Sequence, residues 1–202
     1  MRKQIILVML LLVSIAMPVT AQKNDKKVEE RVQLARDRYT LGLNKIATNK
    51  AYEKDEVPAI NYTTIVRQQN WAGSGMMNDK MEFYYDEIEE DMEPYPVGYN
   101  LVIMRRNYNL GSFEAMEEYV YDEEGYPLFW FTRFDDFANI VELRGYFDKD
   151  GSIVRTICKT KDDSGKMTAC DLNEEYEMRF NTAKNNFNRF KNAFQSLYDV
   201  EY

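Results

Sequence analysis

The sequence predicts an α+β fold, in which a twisted antiparallel β-meander of about seven or eight strands is packed by an N-terminal and a C-terminal helix. Three observations support this prediction. Apolar residues recur every three or four positions near both ends of the chain, which is helical periodicity. Between these segments apolar and polar residues alternate, as they do in strands. A short D-x-x-G turn unit occurs three times within the alternating region.

The first helix is predicted from Asp25 to about Asn49. Its apolar stripe consists of Val28, Val32, Ala35, Tyr39, Leu43 and Ile46. We expect this stripe to cover one face of the sheet, the same face that the C-terminal helix covers. Pairing of the two helices with each other is the alternative.

The C-terminal helix is predicted to open at Asp171, because Glu174 stands three residues later as in a capping box. Its apolar stripe consists of Tyr176, Phe180, Ala183, Phe187, Phe190, Phe194 and Leu197. A stripe at this spacing favours packing against a sheet. Docking of a partner or a lipid on the same stripe is the alternative.

Strands are predicted where β-branched and aromatic residues dominate, at residues 60–67, 80–85, 99–106, 113–121, 126–133, 139–147, 152–160 and 167–171. The connections are short, so strands that follow one another in sequence are expected to be neighbours in the sheet. A sheet of this length tends to curl into a half-barrel. Helices that do not fill the half-barrel would leave a cavity.

The three turn units are Asp122–Gly125, Asp148–Gly151 and Asp162–Gly165. The Asp can accept hydrogen bonds from the backbone of its own turn, and the Gly adopts a positive φ at little steric cost. Each unit therefore predicts a hairpin turn, and their repetition predicts the meander. No calcium loop is predicted at the second unit, because Tyr146 and Ile157 stand where an EF-hand needs acidic ligands.

The segments "YDEEGYPL" and "FDKDGSIV" share a Y/F-D-x-x-G-x-x-hydrophobic unit. This unit resembles the hairpin repeats of MORN-like and YwqK-type antitoxin proteins, over residues 117–168. The whole layout also resembles small uncharacterised exported proteins of Bacteroidetes-type bacteria, with a signal ending in "AQ", a helix, an acidic aromatic-rich meander and a last helix. The resemblance implies a sheet of hairpin repeats and transfers no catalytic residue to this chain.

Residues 1–21 are predicted to be a cleaved signal peptide, and residues 22–202 to form a single domain. Arg2 and Lys3 precede an apolar run, "IILVMLLLVSIAM", and the small residues of "VTA" lie close to Gln22. The run is shorter than the roughly 20 residues that a membrane span needs. A retained anchor is the alternative. We therefore expect a periplasmic or secreted protein without a membrane span after cleavage.

The chain contains two cysteines, Cys158 and Cys170. In an oxidising compartment two cysteines are expected to pair. The segment between them has a turn signal around Ser164, which places the two residues opposite each other in a hairpin. The sequence therefore predicts a cross-strand disulfide, with two buried free thiols as the alternative.

Charge and composition exclude several functions. Removal of Arg2 and Lys3 with the signal takes the formal net charge from -8 to -10, which argues against nucleic acid and anionic membranes as partners. The chain contains no His, so Ser-His-Asp and Cys-His nucleophiles and His-ligated zinc are excluded. No cofactor and no enzymatic activity are predicted. A carboxylate-based hydrolase is the enzymatic alternative.

Three candidate binding features are visible in the sequence. Residues 86–93 contain six carboxylates: Asp86, Glu87, Glu89, Glu90, Asp91 and Glu93. Such a run is typical of a solvated or interacting loop, and binding of a hard cation such as Ca²⁺ is the alternative. Trp71 stands in an irregular Gly-Ser-Gly stretch at 69–79 and is predicted to be a recognition or lid residue, or else a connector that covers the sheet edge. Trp130 is predicted to lie on an exposed aromatic strand face.

Two functional hypotheses follow. The first is a non-catalytic envelope protein that recognises another envelope or extracellular protein through the open sheet face or the acidic loop. Its predicted binding residues are Trp71, Asp86, Glu87, Glu89, Glu90, Asp91 and Trp130. The second is a periplasmic carrier or sensor that binds an apolar ligand such as a lipid, or a glycan, between the sheet and the helices. In the second hypothesis the loop at Trp71 gates a cavity lined by Tyr, Phe and Met.

Overall fold

A computed structural model describes the backbone of residues 2–73, 75–136, 139–161 and 164–198. Side chains are described from Lys26 onward within these ranges, except those of Trp71 and Leu110. The side chains of the predicted signal peptide, residues 1–21, therefore lie outside the described part of the chain. So do Asp162 and Asp163 of the third predicted turn.

The described residues form two helices and eight strands. Their bounds are α1 Arg2–Lys54, β1 Tyr62–Trp71, β2 Gly75–Ile88, β3 Gly98–Leu110, β4 Phe113–Tyr121, β5 Pro127–Asp136, β6 Asn139–Phe147, β7 Ile153–Lys161, β8 Met167–Ala169 and α2 Glu174–Gln195. The strands form one sheet in the order β1 to β8, and every neighbouring pair is antiparallel. The predicted α+β meander with two flanking helices is thus confirmed. The sheet is open, with β1 and β8 as its edges.

The two helices lie on opposite faces of the sheet, and the expectation that they share one face is wrong. Alternating side chains of the central strands point to opposite faces, and both sets are apolar. The α2 side buries Phe83, Met104, Tyr119, Trp130 and Leu143. The α1 side buries Tyr84, Ile103, Val120, Phe129 and Tyr146. A sheet that is apolar on both faces needs a cover on each, so the molecule has three layers.

Helix α2 packs its predicted aromatic stripe against the sheet. The ring of Phe187 makes edge contacts with Tyr119, Tyr121 and Phe147, at centroid distances of 5.1 to 5.3 Å. The helix begins two residues later than predicted with a different cap: the Asn173 side chain accepts a hydrogen bond of 2.8 Å from the Tyr176 N–H. Asn173 holds the N-cap position of the helix.

Helix α1 packs closely over the other face. Val32, Ala35 and Ile46 of its predicted stripe are buried. At Gly42 a Cβ atom would come within 2.9 Å of the Ile103 side chain, so only glycine fits there. The helix can approach the sheet this closely because that position carries no side chain.

Two of the predicted D-x-x-G turns are confirmed as hairpin turns. In each, the Gly N–H donates a hydrogen bond of 2.9 Å to the carbonyl of the first Asp, and the Gly has a φ near +76°. The Asp122 carboxylate also accepts hydrogen bonds from the N–H groups of Glu124 and Tyr126, at 3.1 and 2.8 Å. The turns therefore form from interactions within their own few residues.

Arg31 of α1 joins both turns to the helix. Its Nη1 lies 3.0 Å from the Asp122 carboxylate, its Nε donates to the Phe147 carbonyl at 2.8 Å, and its Nη2 donates to the Pro127 carbonyl at 2.8 Å. The side chains of Arg31 and Asp122 are 9% and 6% exposed, so this ion pair is largely shielded from water. One guanidinium thereby holds the β4–β5 and β6–β7 hairpins against α1.

Arg31→Met should lower the free energy of unfolding by about 3 kcal/mol, because it leaves the buried Asp122 carboxylate without its cation. Urea unfolding followed by circular dichroism measures this change. The control is Lys27→Met, since the Lys27–Asp148 pair is exposed on the lysine side and should cost less than about 1 kcal/mol. Equal losses for the two variants would contradict the role assigned to Arg31.

The predicted disulfide between Cys158 and Cys170 is present. Cys158 lies on β7, and Cys170 directly follows β8, with 5.2 Å between their Cα atoms. The Cys170 N–H also donates a hydrogen bond of 3.2 Å to the Cys158 carbonyl. The bond therefore closes the β7–β8 hairpin, whose second strand is only three residues long.

Replacement of both cysteines by Ala should lower the free energy of unfolding by about 3 kcal/mol, because the bond closes a short loop in the unfolded chain. The comparison is made by urea unfolding of the oxidised wild type and the double variant. Reduced wild-type protein should unfold at about the same urea concentration as the variant. An unchanged midpoint in all three samples would show that the bond does not stabilise the fold.

Candidate functional site

The acidic loop, defined as residues 86–97, joins β2 to β3. Strand β2 continues three residues further than predicted, to Ile88, so Asp86 and Glu87 belong to the strand. Glu89, Glu90 and Asp91 lie in the connection itself and are exposed. The structure therefore brings these five predicted acids together at one end of the sheet.

Hydrogen bonds define the course of the acidic loop. The Val97 N–H donates to the Ile88 carbonyl at 2.8 Å, and the Glu93 N–H donates to the Glu90 carbonyl at 3.2 Å. Met92 has a φ of +82°, a conformation that non-glycine residues adopt at an energetic cost. The loop thus has a specific backbone conformation in which Met92 is held at the tip.

Lys45 of α1 attaches the base of this loop to the helix. Its Nζ lies 2.5 Å from the Asp86 carboxylate and donates to the Tyr85 carbonyl at 3.0 Å. The lysine side chain is 21% exposed, so the contact is partly shielded from water. The loop is consequently tied to the three-layer body of the molecule.

The acidic loop also presents apolar side chains to solvent. Met92 is fully exposed and Tyr95 is 80% exposed, while Ile88 and Val97 are about half exposed. Large apolar groups at the tip of an acidic loop do not contribute to the protein's own core. Sequence reasoning singled out the acids and missed Met92 and Tyr95. The signal that pointed to them is the "MEPYP" run, in which two prolines flank an aromatic residue.

Trp71 is the last residue of β1, in a regular hairpin, and the prediction of an irregular stretch at 69–79 is wrong. β1 and β2 pair without a break from Tyr62 opposite Tyr84 to Trp71 opposite Gly75. The Trp71 side chain lies outside the described part of the chain. The predicted role of its loop as a gate therefore stays a prediction.

Trp130 lies in the centre of the sheet and is 1% exposed. Its ring packs edge-on against Phe180 of α2, with 5.3 Å between centroids. Its neighbours Phe129 and Phe131 are buried on the opposite face, on the α1 side. The predicted exposed aromatic face is therefore covered by helices, and Trp130 is a core residue that no partner reaches.

Two neighbouring ion pairs cross from β3 to β4. Arg105 stands opposite Glu118, and Arg106 stands opposite Glu117, so the two pairs point to opposite faces of the sheet. On the α1 side, Glu118 accepts hydrogen bonds from Arg105 Nε at 2.8 Å and from the Tyr39 hydroxyl at 2.5 Å. Burial and the adjacent Glu118 carboxylate raise the pKa of Tyr39, so its hydroxyl stays protonated and continues to donate.

On the α2 side, Arg106 joins two buried acids. Its Nε and Nη2 donate to the Asp79 carboxylate at 2.7 and 2.9 Å, and its Nη1 lies 3.6 Å from Glu117. Arg67 of β1 reaches Asp79 at 3.1 Å. The Tyr119 hydroxyl donates to Glu117 at 3.0 Å. Every one of these carboxylates is bound by side chains of the chain itself, so the network acts as a set of cross-links between β1 and β4.

Several open recesses lie at the margins of the helices. One, the aromatic recess, lies between α1 and β5–β7 and has a volume of about 330 Å³. It is lined by Ala35, Arg36, Tyr39, Phe129, Phe131, Arg144, Tyr146 and Ile157. A second recess, of about 440 Å³, lies between α1 and β1–β3, so the predicted cavity between sheet and helix takes the form of separate recesses along α1.

In the described part of the chain, no group of three or more acidic or cysteine side chains is arranged to hold a metal ion. None of the described helical segments is long and apolar enough to cross a membrane.

Comparisons with protein-family models, with curated proteins and with solved structures found no match to this chain. The resemblance to MORN-like hairpin repeats therefore stays a prediction that rests on the turn units alone.

Glu117 should make stability depend on pH. Burial raises the pKa of its carboxyl above the ordinary 4.5, against the opposing attraction of Arg106. The folded state then binds this proton more tightly than the unfolded state, so the contribution of Glu117 to stability falls as pH rises from about 4.5 through the raised pKa. Glu117→Gln should remove this fall.

Urea unfolding of the wild type and of Glu117→Gln between pH 4.5 and 7 tests this prediction. The wild type should lose stability relative to Glu117→Gln as the pH rises. Glu114→Gln, a change at an exposed position of the same strand, should follow the wild type. A constant difference between wild type and Glu117→Gln across the range would contradict the assignment.

Proposed function

We propose that this protein is a non-catalytic recognition protein of the bacterial envelope, which binds another protein through the acidic loop. The observation that carries the proposal is the exposure of Met92 and Tyr95 at the tip of a loop that is closed by backbone hydrogen bonds. Aromatic and Met side chains are enriched at the centres of protein interfaces, where they enter pockets of the partner.

The charges around the tip define the partner's chemistry. Carboxylates precede Met92 on the loop, at Glu89, Glu90 and Asp91, and Glu93 follows it. The matching surface is an apolar recess ringed by Lys and Arg. Such a rim of opposite charge accelerates association, and the apolar contacts at the centre slow dissociation.

The disulfide is compatible with the extracytoplasmic location that this proposal requires. The Cys158–Cys170 disulfide is of the kind that persists in oxidising compartments. The predicted signal peptide at residues 1–21 gives the route of export. The partner is accordingly an envelope or extracellular protein.

Photocrosslinking in the host tests the role of the loop. Benzoylphenylalanine replaces Met92 or Tyr95 in separate variants, and each is irradiated in intact cells. We expect one discrete adduct with the same protein from both positions. The control position is Met178, which is 62% exposed on α2 and far from the loop in sequence. Adducts at all three positions, or at Met178 alone, would contradict recognition by the acidic loop.

Once the partner is identified, association and dissociation rate constants distinguish the contribution of the charges to binding from that of the apolar tip. The triple variant Glu89→Gln, Glu90→Gln and Asp91→Asn should slow association about tenfold at low salt and little at high salt. Tyr95→Ala should instead raise the dissociation rate by about tenfold or more. Unchanged association and dissociation rate constants in these variants would exclude this loop as the binding surface.

The aromatic recess supports a second candidate function, the binding of an apolar ligand with an anionic head. Its volume of about 330 Å³ lies at the lower end of the range for small-molecule sites. Tyr39, Phe129 and Phe131 offer an apolar wall, and Arg36 and Arg144 stand beside it. Arg144 also bonds Glu142 at 3.0 Å, so one of the two guanidinium groups is already partly engaged.

A native mass spectrum of the mature protein, purified from its host without detergent, tests this second function. A bound ligand would add a discrete non-covalent mass. Ile157→Trp should abolish that adduct, because the larger side chain fills the recess. A bare mass for the wild type, or an adduct that survives in Ile157→Trp, would exclude the recess as a ligand site.

A further inference from the structure

The two edges of the sheet differ. Edge strand β8 has three residues, whereas edge strand β1 has ten. β1 contains no proline, and its pairing with β2 shows no bulge from Tyr62 to Trp71. A long, regular edge presents a row of backbone donors and acceptors to which another strand can pair.

The hydrogen-bond pattern shows which residues of β1 face outward. The Tyr85 N–H donates to the Asn61 carbonyl at 3.1 Å, so these two residues form a hydrogen-bonded pair. Such pairs alternate along an antiparallel ladder, so odd-numbered residues of β1 bond β2. The backbone groups of the even-numbered residues point away from the sheet. These residues are Tyr62, Thr64, Val66, Gln68 and Asn70.

β1 lacks the features that protect edge strands. Its one charged residue is Arg67, whose guanidinium bonds Asp79 of β2 at 3.1 Å. Apolar side chains instead line this margin of the molecule: Val66 is 58% exposed, Ile60 is 55% exposed and Met76, on β2, is 50% exposed. Natural sheets block exposed edges with charge, proline or bulges. β1 has no proline and no bulge, and its single charge is paired with Asp79 of its own sheet.

We propose that β1 pairs with β1 of a second copy of this chain, in antiparallel orientation, with the two-fold axis at Val66. The proposal goes beyond recognition by the acidic loop and does not depend on it. The two eight-stranded sheets then form one continuous sheet, and each copy donates backbone hydrogen bonds from its five outward-facing residues. The acidic loops lie at opposite ends of this dimer, because the two strands run in opposite directions.

Register follows from the outward-facing residues. Hydrogen-bonded pairs across the new interface must join even-numbered residues, and a centre at Val66 pairs Thr64 with Gln68 of the second copy and Tyr62 with Asn70. Val66 then packs on Val66 of the second copy, so an apolar side chain that is 58% exposed in the single chain is buried. A centre at Arg67 would instead place two guanidinium groups opposite each other, which is destabilising.

A second copy fits this edge because the Val66-centred pattern is self-complementary. Arg67 stands opposite Ile65 of the second copy, which keeps like charges apart. β-branched residues at the centre and amide or hydroxyl side chains on either side suit a cross-strand pairing of this kind.

The experiment is sedimentation velocity of the mature protein, residues 22–202 with the disulfide intact, over a range of concentrations. The wild type should be dimeric. Val66→Lys and Val66→Glu should each be monomeric, because each places two like charges opposite each other across the two-fold axis. An equimolar mixture of these two variants should regain the dimer, since Lys then faces Glu.

Gln69→Lys is the matched control, because it adds the same charge to the same strand at a position that does not face itself. It should remain dimeric. Circular dichroism of each variant checks that the fold is intact. We expect it to be intact in both Val66 variants, because the Val66 side chain is exposed in the single chain. A monomeric wild type, a dimeric Val66→Lys variant or a mixture that stays monomeric would each overturn the proposal.

Discussion

The central strands carry apolar side chains on both faces, and this constraint determines the architecture. Tyr119 and Trp130 face one side while Val120 and Phe129 face the other, so neither face can be left to water. One helix covers each face. The D-x-x-G turns then gain a second role, because they offer backbone carbonyls and a carboxylate to which Arg31 of α1 binds. The repeated turn thus reverses the chain and also helps to hold the helix in place.

Coverage of both faces limits where recognition can occur. The aromatic residues of the central strands are committed to the core, and the buried carboxylates Asp79, Glu117 and Glu118 are bound by arginines of the same sheet. The surfaces left for recognition are at the margins of the molecule. They are the acidic loop with Met92 and Tyr95, the long edge of β1, and the aromatic recess beside α1. The loop and the edge are both attached to the three-layer body, the loop through the contact of Lys45 with Asp86 and the edge through its pairing with β2.

The sequence predicted the features that arise locally. The hairpin turn at Asp122 forms from hydrogen bonds within its own residues, and the strands follow from alternation, so the meander and the disulfide were predictable. The sheet face that each helix covers was not predictable from the sequence. An apolar stripe on a helix does not specify which side of a sheet with two apolar faces it packs against. The burial of Trp130 was missed for the same reason. The cross-strand pairing of Arg106 with Glu117 depends on register, which single residues do not reveal.

The most direct test of this account is the distance between the two helices, measured by electron–electron double resonance. Nitroxide labels at Leu34→Cys and Met178→Cys occupy exposed positions on α1 and α2. With the sheet between the helices, the labels should lie well over about 20 Å apart, since each packed layer adds about 10 Å. A distribution centred below about 20 Å, as expected for labels on helices packed side by side about 10 Å apart on one face, would contradict the three-layer arrangement.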